Sequence, residues 1–224
     1  MEENPAAVVA ELLVEAAERG SQIVLTGGST PKLAYETAAR ADVDWSGSTV
    51  WFSDERCVAP ESGLSNFRMA TDALLGRLLR DRRPDVLRME GELGPDAGAA
   101  SYEAAVRERL GGAPRWDLLL LGLGPDAHCA SLFPGKPEVD ERSRLVTGVP
   151  LAGMEPQVPR ISLTLPALNE ARQVVFLVTG RDKAGAVARA FGASADPSSP
   201  AAHVRPSAGS LLVLLDADAA GELT

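Results

Sequence analysis

The chain has 224 residues, of which 45% are hydrophobic and 24% are charged, and its formal net charge is −9 at pH 7. This composition is typical of a globular protein with one large core, and it excludes the disordered and fibrous classes. The acidic balance predicts no general attraction to nucleic acid or to an anionic membrane surface, so a bound anion requires a local cluster of basic groups.

Residues that bind metals or form disulfides are scarce. The chain has two cysteines, Cys57 and Cys129, and two histidines, His128 and His203. Two cysteines this far apart indicate reduced thiols, and zinc requires clustered Cys and His ligands. Residues 2–3 are acidic, unlike the start of a signal peptide, and no apolar run reaches the roughly 18 residues of a membrane span. We expect a cytoplasmic protein without a metal.

The first elements follow the order helix, strand, glycine turn, helix. Asn-Pro at residues 4–5 is typical of a helix start, and Gly20 of its end. An apolar strand is predicted over residues 22–26. After the glycine turn that follows, Thr30 is expected to cap a second helix, which Pro31 opens and which runs to about residue 40.

The same alternation continues to the end of the chain. Ser65 is the expected N-cap of the third helix, and the four consecutive leucines at 118–121 are typical of a strand buried on both faces. Further strands are predicted over residues 49–53, 86–89, 117–121, 174–178 and 211–215. Further helices are predicted over residues 66–79, 96–110 and 181–191, and residues 193–210 are expected to form a surface loop with one helical turn.

Strands that alternate with helices of 10 to 15 residues predict an α/β fold, with helices on both faces of a mostly parallel sheet. Residues 1–224 contain no repeat or convincing linker, so a single domain is expected. Ligands of such sheets bind at the carboxyl ends of the strands. Four polar segments lie at predicted strand ends, and we expect them to converge on one edge of the sheet. They are residues 26–30, 54–56, 122–128 and 179–183.

The glycine turn is a candidate phosphate site. The free amides of Gly27, Gly28, Ser29 and Thr30 and the two hydroxyl groups are suitable donors for an anion at a helix start. The same residues also suit a capped helix that follows a tight turn. Neither the Walker pattern nor the dinucleotide fingerprint is present, so a nucleotide is not the first expectation.

Two basic residues are candidates for the same anion. Lys183 is one of only three lysines, and it lies in the first turn of a predicted helix, where the helix dipole disfavours a cation unless an anion is bound. Arg160 precedes an apolar run and is placed to reach the same anion. A solvated lysine and a surface ion pair are the alternatives.

The loop after the four leucines holds Asp126 and His128. A carboxylate two residues from an imidazole orients it or tunes its basicity, and histidine is the usual general base near neutral pH. A loop histidine bonded to a backbone carbonyl is the alternative. A Cys/His nucleophile formed by Cys129 is disfavoured because adjacent loop residues seldom face each other. His203 is expected to serve packing or the surface.

Asp54, Glu55 and Arg56 place three charges at the end of a strand. Taken alone, they indicate an internal salt bridge. Their position at the edge of the sheet favours an Arg56 side chain that faces the site and binds an oxyanion or a phosphate.

Four segments resemble the 6-phosphogluconolactonase family, in the same order and at similar spacing. They are TGGSTP at 26–31, WFSDER at 51–56 with Ser65-Asn66 after it, GLGPDAHCASLFPG at 122–135 and PRISLTL at 159–165. The third is the most specific, whereas the glycine turn and the Arg and Lys positions are shared with the related glucosamine-6-phosphate deaminases.

The resemblance implies a Rossmann-like three-layer α/β/α sandwich that hydrolyses 6-phospho-D-glucono-1,5-lactone without a metal or an organic cofactor. His128 is then the general base, with Asp126 orienting it and Arg56 stabilising the oxyanion. The substrate and its phosphate are assigned to Gly27, Gly28, Ser29, Thr30, Asp54, Asn66, Arg160 and Lys183.

The chain departs from the family at two places. Ala127 stands where a glycine is usual between Asp and His, and the first helix lacks the short strand that often precedes it. A positive φ at Ala127 costs about 1 kcal/mol or more, but neither change affects a reacting group. The rival functions are a glucosamine-6-phosphate deaminase/isomerase and a non-catalytic sugar-phosphate sensor. We expect a monomer or a small homo-oligomer.

Overall fold

The computed structural model describes residues 4–223. The acidic residues Glu2 and Glu3, which entered the prediction of location, lie outside this range. Within it, no helix is long and apolar enough to cross a membrane.

A parallel sheet forms the middle layer of the described chain. Its six strands are arranged in the order β4-β2-β1-β5-β8-β9, and every adjacent pair is parallel. β5 consists of the four leucines, is completely buried and lies near the centre, as predicted. The strands are β1 (Gln22–Leu25), β2 (Thr49–Phe52), β4 (Asp85–Val86), β5 (Leu118–Leu121), β8 (Gln173–Val178) and β9 (Ser210–Leu215).

Helices cover both faces of this sheet because alternate strand residues point to opposite sides. On one face, Ile23 and Leu25 of β1 pack with the apolar sides of the first three helices, whereas on the other face Val24 packs with residues of the last three. The three-layer α/β/α prediction is therefore confirmed. The helices are α1 (Pro5–Glu18), α2 (Ser29–Ala38), α3 (Asn66–Ala70), α4 (Pro95–Leu110), α5 (Leu165–Leu168) and α6 (Ala184–Phe191).

A second, antiparallel sheet was not predicted. It has the strand order β3-β7-β6 and packs against α4. Its strands are β3 (Asp54–Arg56), β6 (Val146–Val149) and β7 (Arg160–Leu163). β3 follows β2 after a single residue, so the polar segment 54–56 is a strand rather than a loop, and it pairs with a strand more than 100 residues later in the chain.

Several predicted boundaries are corrected. Gly28, with φ of 109°, is the N-cap of α2, so this helix starts at Ser29 and Thr30 lies inside it rather than capping it. The helix predicted over 66–79 has its Ser65 cap but continues after Ala70 as a π-helical turn, Thr71–Leu75, and stops there. The strand predicted over 86–89 is only the two-residue β4. α6 is preceded by a 3₁₀ turn, Arg181–Lys183.

Candidate active site

A pocket of about 310 Å³ opens where β1, β5 and β8 end and where β3 begins. All four polar segments line it, so the predicted convergence at one edge of the sheet is confirmed. Every predicted site residue lines the pocket except Asp126, which lies behind His128. The lining includes Gly27, Gly28, Ser29, Thr30, Asp54, Arg56, Asn66, His128, Arg160 and Lys183.

Tyr35 of α2 fixes the glycine turn through two hydrogen bonds. The buried Tyr35 hydroxyl accepts a hydrogen bond from the Thr26 amide (3.0 Å) and donates one to the Thr26 carbonyl (2.8 Å). Ser29 and Thr30 are the first residues of α2 and line the pocket, and the first amides of a helix have no acceptor within it. The turn therefore has the geometry of an anion site at a helix start.

Asn66 forms the floor of the pocket next to this turn. Its side chain lies so close to Gly27 that a Cβ on that glycine would overlap Asn66 Oδ1. Asn66 Nδ2 donates to the Asp54 carbonyl (2.9 Å) and to Asp54 Oδ1 (3.2 Å). Among the described residues, the buried Asn66 Oδ1 has no hydrogen-bond partner. This unpaired acceptor belongs to a residue that lines the pocket next to the glycine turn.

The Asp54 carboxylate joins three segments of the site. In addition to the bond from Asn66, its Oδ2 atom accepts a hydrogen bond from the Ser131 hydroxyl (2.7 Å). The Ser131 amide donates to the Ser162 hydroxyl on β7 (3.1 Å). The loop that carries His128 is thus connected to two of the three strands of the second sheet, β3 and β7.

Glu55 does not form the internal salt bridge that the charge run suggested. It is buried, and its carboxylate accepts hydrogen bonds from the Arg56, Asn66 and Phe67 amides (2.7, 2.7 and 2.8 Å) and from the Ser65 hydroxyl (2.9 Å). Burial raises its pKa, although these hydrogen bonds oppose the rise.

Arg56 and Arg160 are directly opposite each other on β3 and β7 and provide positive charge at the pocket. Arg56 Nη1 donates to the Leu64 carbonyl (2.6 Å), and Arg160 Nε and Nη2 donate to the Val158 and Pro156 carbonyls (3.0 and 2.8 Å). Burial lowers the pKa of Arg160; the Asp54 charge opposes this change, and the nearby Arg56 charge adds to it. Two adjacent guanidinium groups, one of them buried, favour a bound anion.

Lys183 also reaches the pocket. It is the last residue of the 3₁₀ turn before α6, and its side chain is 22% exposed. Its Nζ atom lies 3.3 Å from Asp182 Oδ2, and Lys183 lines the same pocket as the glycine turn.

His128 is held by Asp126. His128 Nδ1 lies 2.6 Å from Asp126 Oδ1, and the His128 amide donates to the same oxygen (3.1 Å). Gly124 makes room for this pair, because a Cβ there would overlap His128 Nδ1. Burial raises the pKa of Asp126, but the hydrogen bonds and charge of His128 outweigh it, and the net shift is downward. An ionised Asp126 keeps the proton on Nδ1, so Nε2 is the basic nitrogen.

Three other expectations concern this loop and its surroundings. Ala127 adopts φ of 66° and is buried, so the loop does accept a side chain in the left-handed region. Burial raises the pKa of the Cys129 thiol far above its usual range, and this disfavours the thiolate that a nucleophile requires. His203 Nε2 lies 2.7 Å from the Pro197 carbonyl, away from the pocket.

Sequence reasoning missed several residues of the site. Ser131 was inside the most specific segment but received no role, and Tyr35 was not noticed. Phe133, whose ring lies 4.6 Å from the His128 ring, and Met154 and Glu155 also line the pocket. Within residues 4–223, no group of three or more His, Cys, Asp or Glu side chains is arranged to hold a metal ion.

A doubly covered parallel sheet with an anion-binding turn, three basic side chains and a His–Asp pair at one edge is typical of an enzyme that acts on a phosphorylated metabolite. The model of the glucosamine-6-phosphate isomerases/6-phosphogluconolactonase family matches residues 1–213. The chain belongs to this family.

Individual relatives agree with this assignment. The 6-phosphogluconolactonase of Streptomyces coelicolor is 40% identical over 238 residues, covering 100% of this chain and 90% of the relative. The solved 6-phosphogluconolactonase of Thermotoga maritima matches with a TM-score of 0.83 at 30% identity and covers 96% of this chain and 97% of its own. That of Trypanosoma brucei matches with a TM-score of 0.84 at 27% identity, covering 99% and 95%.

Proposed function

We propose that this chain is a lactonase that hydrolyses 6-phospho-D-glucono-1,5-lactone to 6-phospho-D-gluconate, the activity named for its relatives in Streptomyces and Thermotoga. The observation that carries the proposal is the placement of His128, which is bonded to Asp126, in the same pocket as the glycine turn and three basic side chains. A base and an anion site in one pocket suit a phosphorylated substrate whose other end is attacked by water.

The phosphate is assigned to the free amides of the glycine turn and to Arg160 and Lys183. A dianion there offsets the repulsion between the two guanidinium groups and fills the donors at the start of α2. A protein with a net charge of −9 can therefore bind a dianion, since the local charge at this edge is positive. Asp54 and Asn66 lie beside the turn, and we assign the sugar hydroxyls to them.

His128 Nε2 takes a proton from the attacking water while the water oxygen bonds to the lactone carbonyl carbon. Arg56 stabilises the negative charge that develops on the carbonyl oxygen. The tetrahedral intermediate then collapses, the bond between the carbonyl carbon and the ring oxygen breaks, and the ring oxygen takes a proton from His128. Asp126 acts through His128 by holding the imidazole in the required tautomer. The proposal includes no metal and no organic cofactor.

Domain organisation, partners and location are also part of the proposal. We treat residues 1–224 as a single sugar-phosphate-binding domain, since the parallel and antiparallel sheets line one common pocket. The acidic balance supports a protein without nucleic-acid or membrane partners, and two free thiols support a cytoplasmic location, as a monomer or a small homo-oligomer.

The test follows proton release from freshly prepared 6-phosphogluconolactone with and without the protein. Acceleration well above spontaneous hydrolysis is expected. No acceleration, together with release of ammonia from glucosamine 6-phosphate, would support the deaminase/isomerase alternative. No turnover of either compound, with binding of sugar phosphates retained, would support the sensor.

A further inference from the structure

Two residues that are proposed to contact the substrate, Arg56 and Asn66, lie at the two ends of one exposed segment. Arg56 ends β3 and Asn66 begins α3, and residues 57–64 loop outwards between them. Arg56 also depends on this loop, because its Nη1 atom donates to the Leu64 carbonyl (2.6 Å). Whatever closes the loop therefore fixes both pocket residues.

Glu55 closes it. One carboxylate oxygen, Oε1, accepts the amides of Arg56 and Asn66, both at 2.7 Å, so a single atom connects the two ends of the segment. The other oxygen, Oε2, accepts the Phe67 amide (2.8 Å) and the Ser65 hydroxyl (2.9 Å). Glu55 is 3% exposed, and four donors from both sides of the loop converge on it.

Other hydrogen bonds hold the middle of the segment, such as those from the Cys57 amide to the Pro159 carbonyl (2.8 Å) and from Arg68 Nη1 to the Glu61 carbonyl (2.6 Å), but neither of these two joins its ends. Arg56 Nε is buried and has no partner among the described residues, and the same is true of Asn66 Oδ1. The Asn66 side chain is oriented by its Nδ2 bonds to Asp54, and the Arg56 side chain by its Nη1 bond to the Leu64 carbonyl, so both orientations require that the backbone place the two residues correctly. That backbone is bound to the Glu55 carboxylate at each end.

We infer that Glu55 is a positioning residue that sets the spacing of Arg56 and Asn66 across the pocket by binding both backbone amides through one oxygen. This inference rests on the proposed function, in which those two residues contact the lactone. Glu55 itself does not line the pocket. No ion pair or substrate contact is needed for this role.

The variant Glu55→Gln tests the inference. A glutamine keeps one acceptor oxygen but turns an NH₂ group towards the Phe67 amide, so at least one backbone donor loses its partner and α3 shifts. Loss of one buried acceptor predicts a decrease in kcat/KM of at least about tenfold. The matched control is Glu61→Gln, which changes an exposed carboxylate of the same loop and is expected to leave kcat/KM unchanged.

Two further readouts separate positioning from a general loss of folding. Inhibition by inorganic phosphate is expected to stay within about threefold of the wild type, because the glycine turn, Arg160 and Lys183 are not bound to Glu55. In an Arg56→Ala/Asn66→Ala background, Glu55→Gln is expected to have almost no additional effect on kcat/KM. A full additional effect there, or an equal loss of phosphate inhibition, would overturn the inference.

Hydrogen exchange provides a readout that does not depend on catalysis. The Asn66 and Phe67 amides are expected to exchange at least about tenfold faster in Glu55→Gln than in Glu61→Gln. The reason is that opening of this region no longer has to break the hydrogen bonds from both amides to the Glu55 carboxylate. Equal exchange rates would overturn the inference. A wild type that does not hydrolyse the lactone would instead overturn the proposed function.

If Glu55→Gln does not fold, Ser65→Ala removes one of the four donors, and with it the N-cap acceptor of the Arg68 amide, but leaves the carboxylate in place. A smaller decrease in kcat/KM, with phosphate inhibition retained, is expected for this variant. Unchanged kcat/KM in folded Ser65→Ala together with unchanged exchange at Phe67 would overturn the inference.

Discussion

His128 Nδ1 lies 2.6 Å from Asp126 Oδ1, and the same carboxylate oxygen also accepts the His128 amide at 3.1 Å. The aspartate therefore fixes both the ring and the backbone of the histidine from a position two residues earlier. Because Nδ1 is engaged, only Nε2 is available as a base at the pocket.

Asp126→Asn tests the ionisation of this pair through stability. The folded pKa of Asp126 is lowered, whereas the unfolded value is about 3.9. Between these two values the unfolded chain binds more protons, so the stabilisation that the carboxylate provides above about pH 3.9 is lost as the pH falls through the folded pKa.

The free energy of unfolding, measured by urea denaturation at pH 5 and pH 3, is therefore expected to drop more in the wild type than in Asp126→Asn. Equal drops would show that the carboxylate is not stabilised in the folded protein.

Lys183→Ala tests the phosphate site. A charge-assisted hydrogen bond to the substrate phosphate contributes about 1.5–3 kcal/mol, so KM for the lactone is expected to rise by roughly tenfold or more. The change in kcat is expected to be small, because the phosphate is remote from the reacting carbonyl.

The control is Lys136→Ala, a lysine outside the pocket. Steady-state kinetics of both variants give the comparison, and an unchanged KM in Lys183→Ala would remove this residue from the phosphate site.

Ala127→Gly tests the cost of the unusual residue in the loop. Relief of the left-handed conformation contributes about 1–2 kcal/mol. Loss of a buried methyl group costs about 0.8 kcal/mol, and the extra freedom of glycine in the unfolded chain costs about 0.4–1 kcal/mol. These effects nearly cancel, so the free energy of unfolding is expected to change by less than about 1 kcal/mol, with lactone turnover retained.

Thermal or urea denaturation measures the difference directly. A stabilisation of more than about 2 kcal/mol would mean that the strain at Ala127 is much larger than its φ implies.

The main sheet could be predicted from the sequence because its signals are local. The leucines at 118–121 are apolar at every position, and this is the pattern of a strand covered on both faces. Glycine and proline marked the ends of α1 and the turn before α2. The second sheet was missed for the opposite reason. β3 is a charged segment without the apolar pattern of a buried strand, and its partner, β7, lies more than 100 residues away.

The distinction between local sequence signals and contacts distant in the chain also applies to the site. Residues at strand ends could be named in advance, because parallel strands bring their carboxyl ends to one edge. The hydrogen bonds that connect these residues could not be predicted. Ser131 and Asp54 are 77 residues apart, and Glu55 binds amides 11 and 12 residues further along a loop whose path the sequence does not reveal. The sequence alone does not distinguish a buried carboxylate that accepts hydrogen bonds from backbone amides from one that forms a salt bridge.

The central claim is that His128 is the general base of a lactone hydrolase. The most direct test measures kcat for His128→Ala by proton release from fresh 6-phosphogluconolactone, with spontaneous hydrolysis subtracted and His203→Ala as the control. We predict a decrease of about 10²-fold or more for His128→Ala, the usual scale for a general base, and unchanged turnover for His203→Ala. Turnover near that of the wild type in folded His128→Ala would contradict the claim.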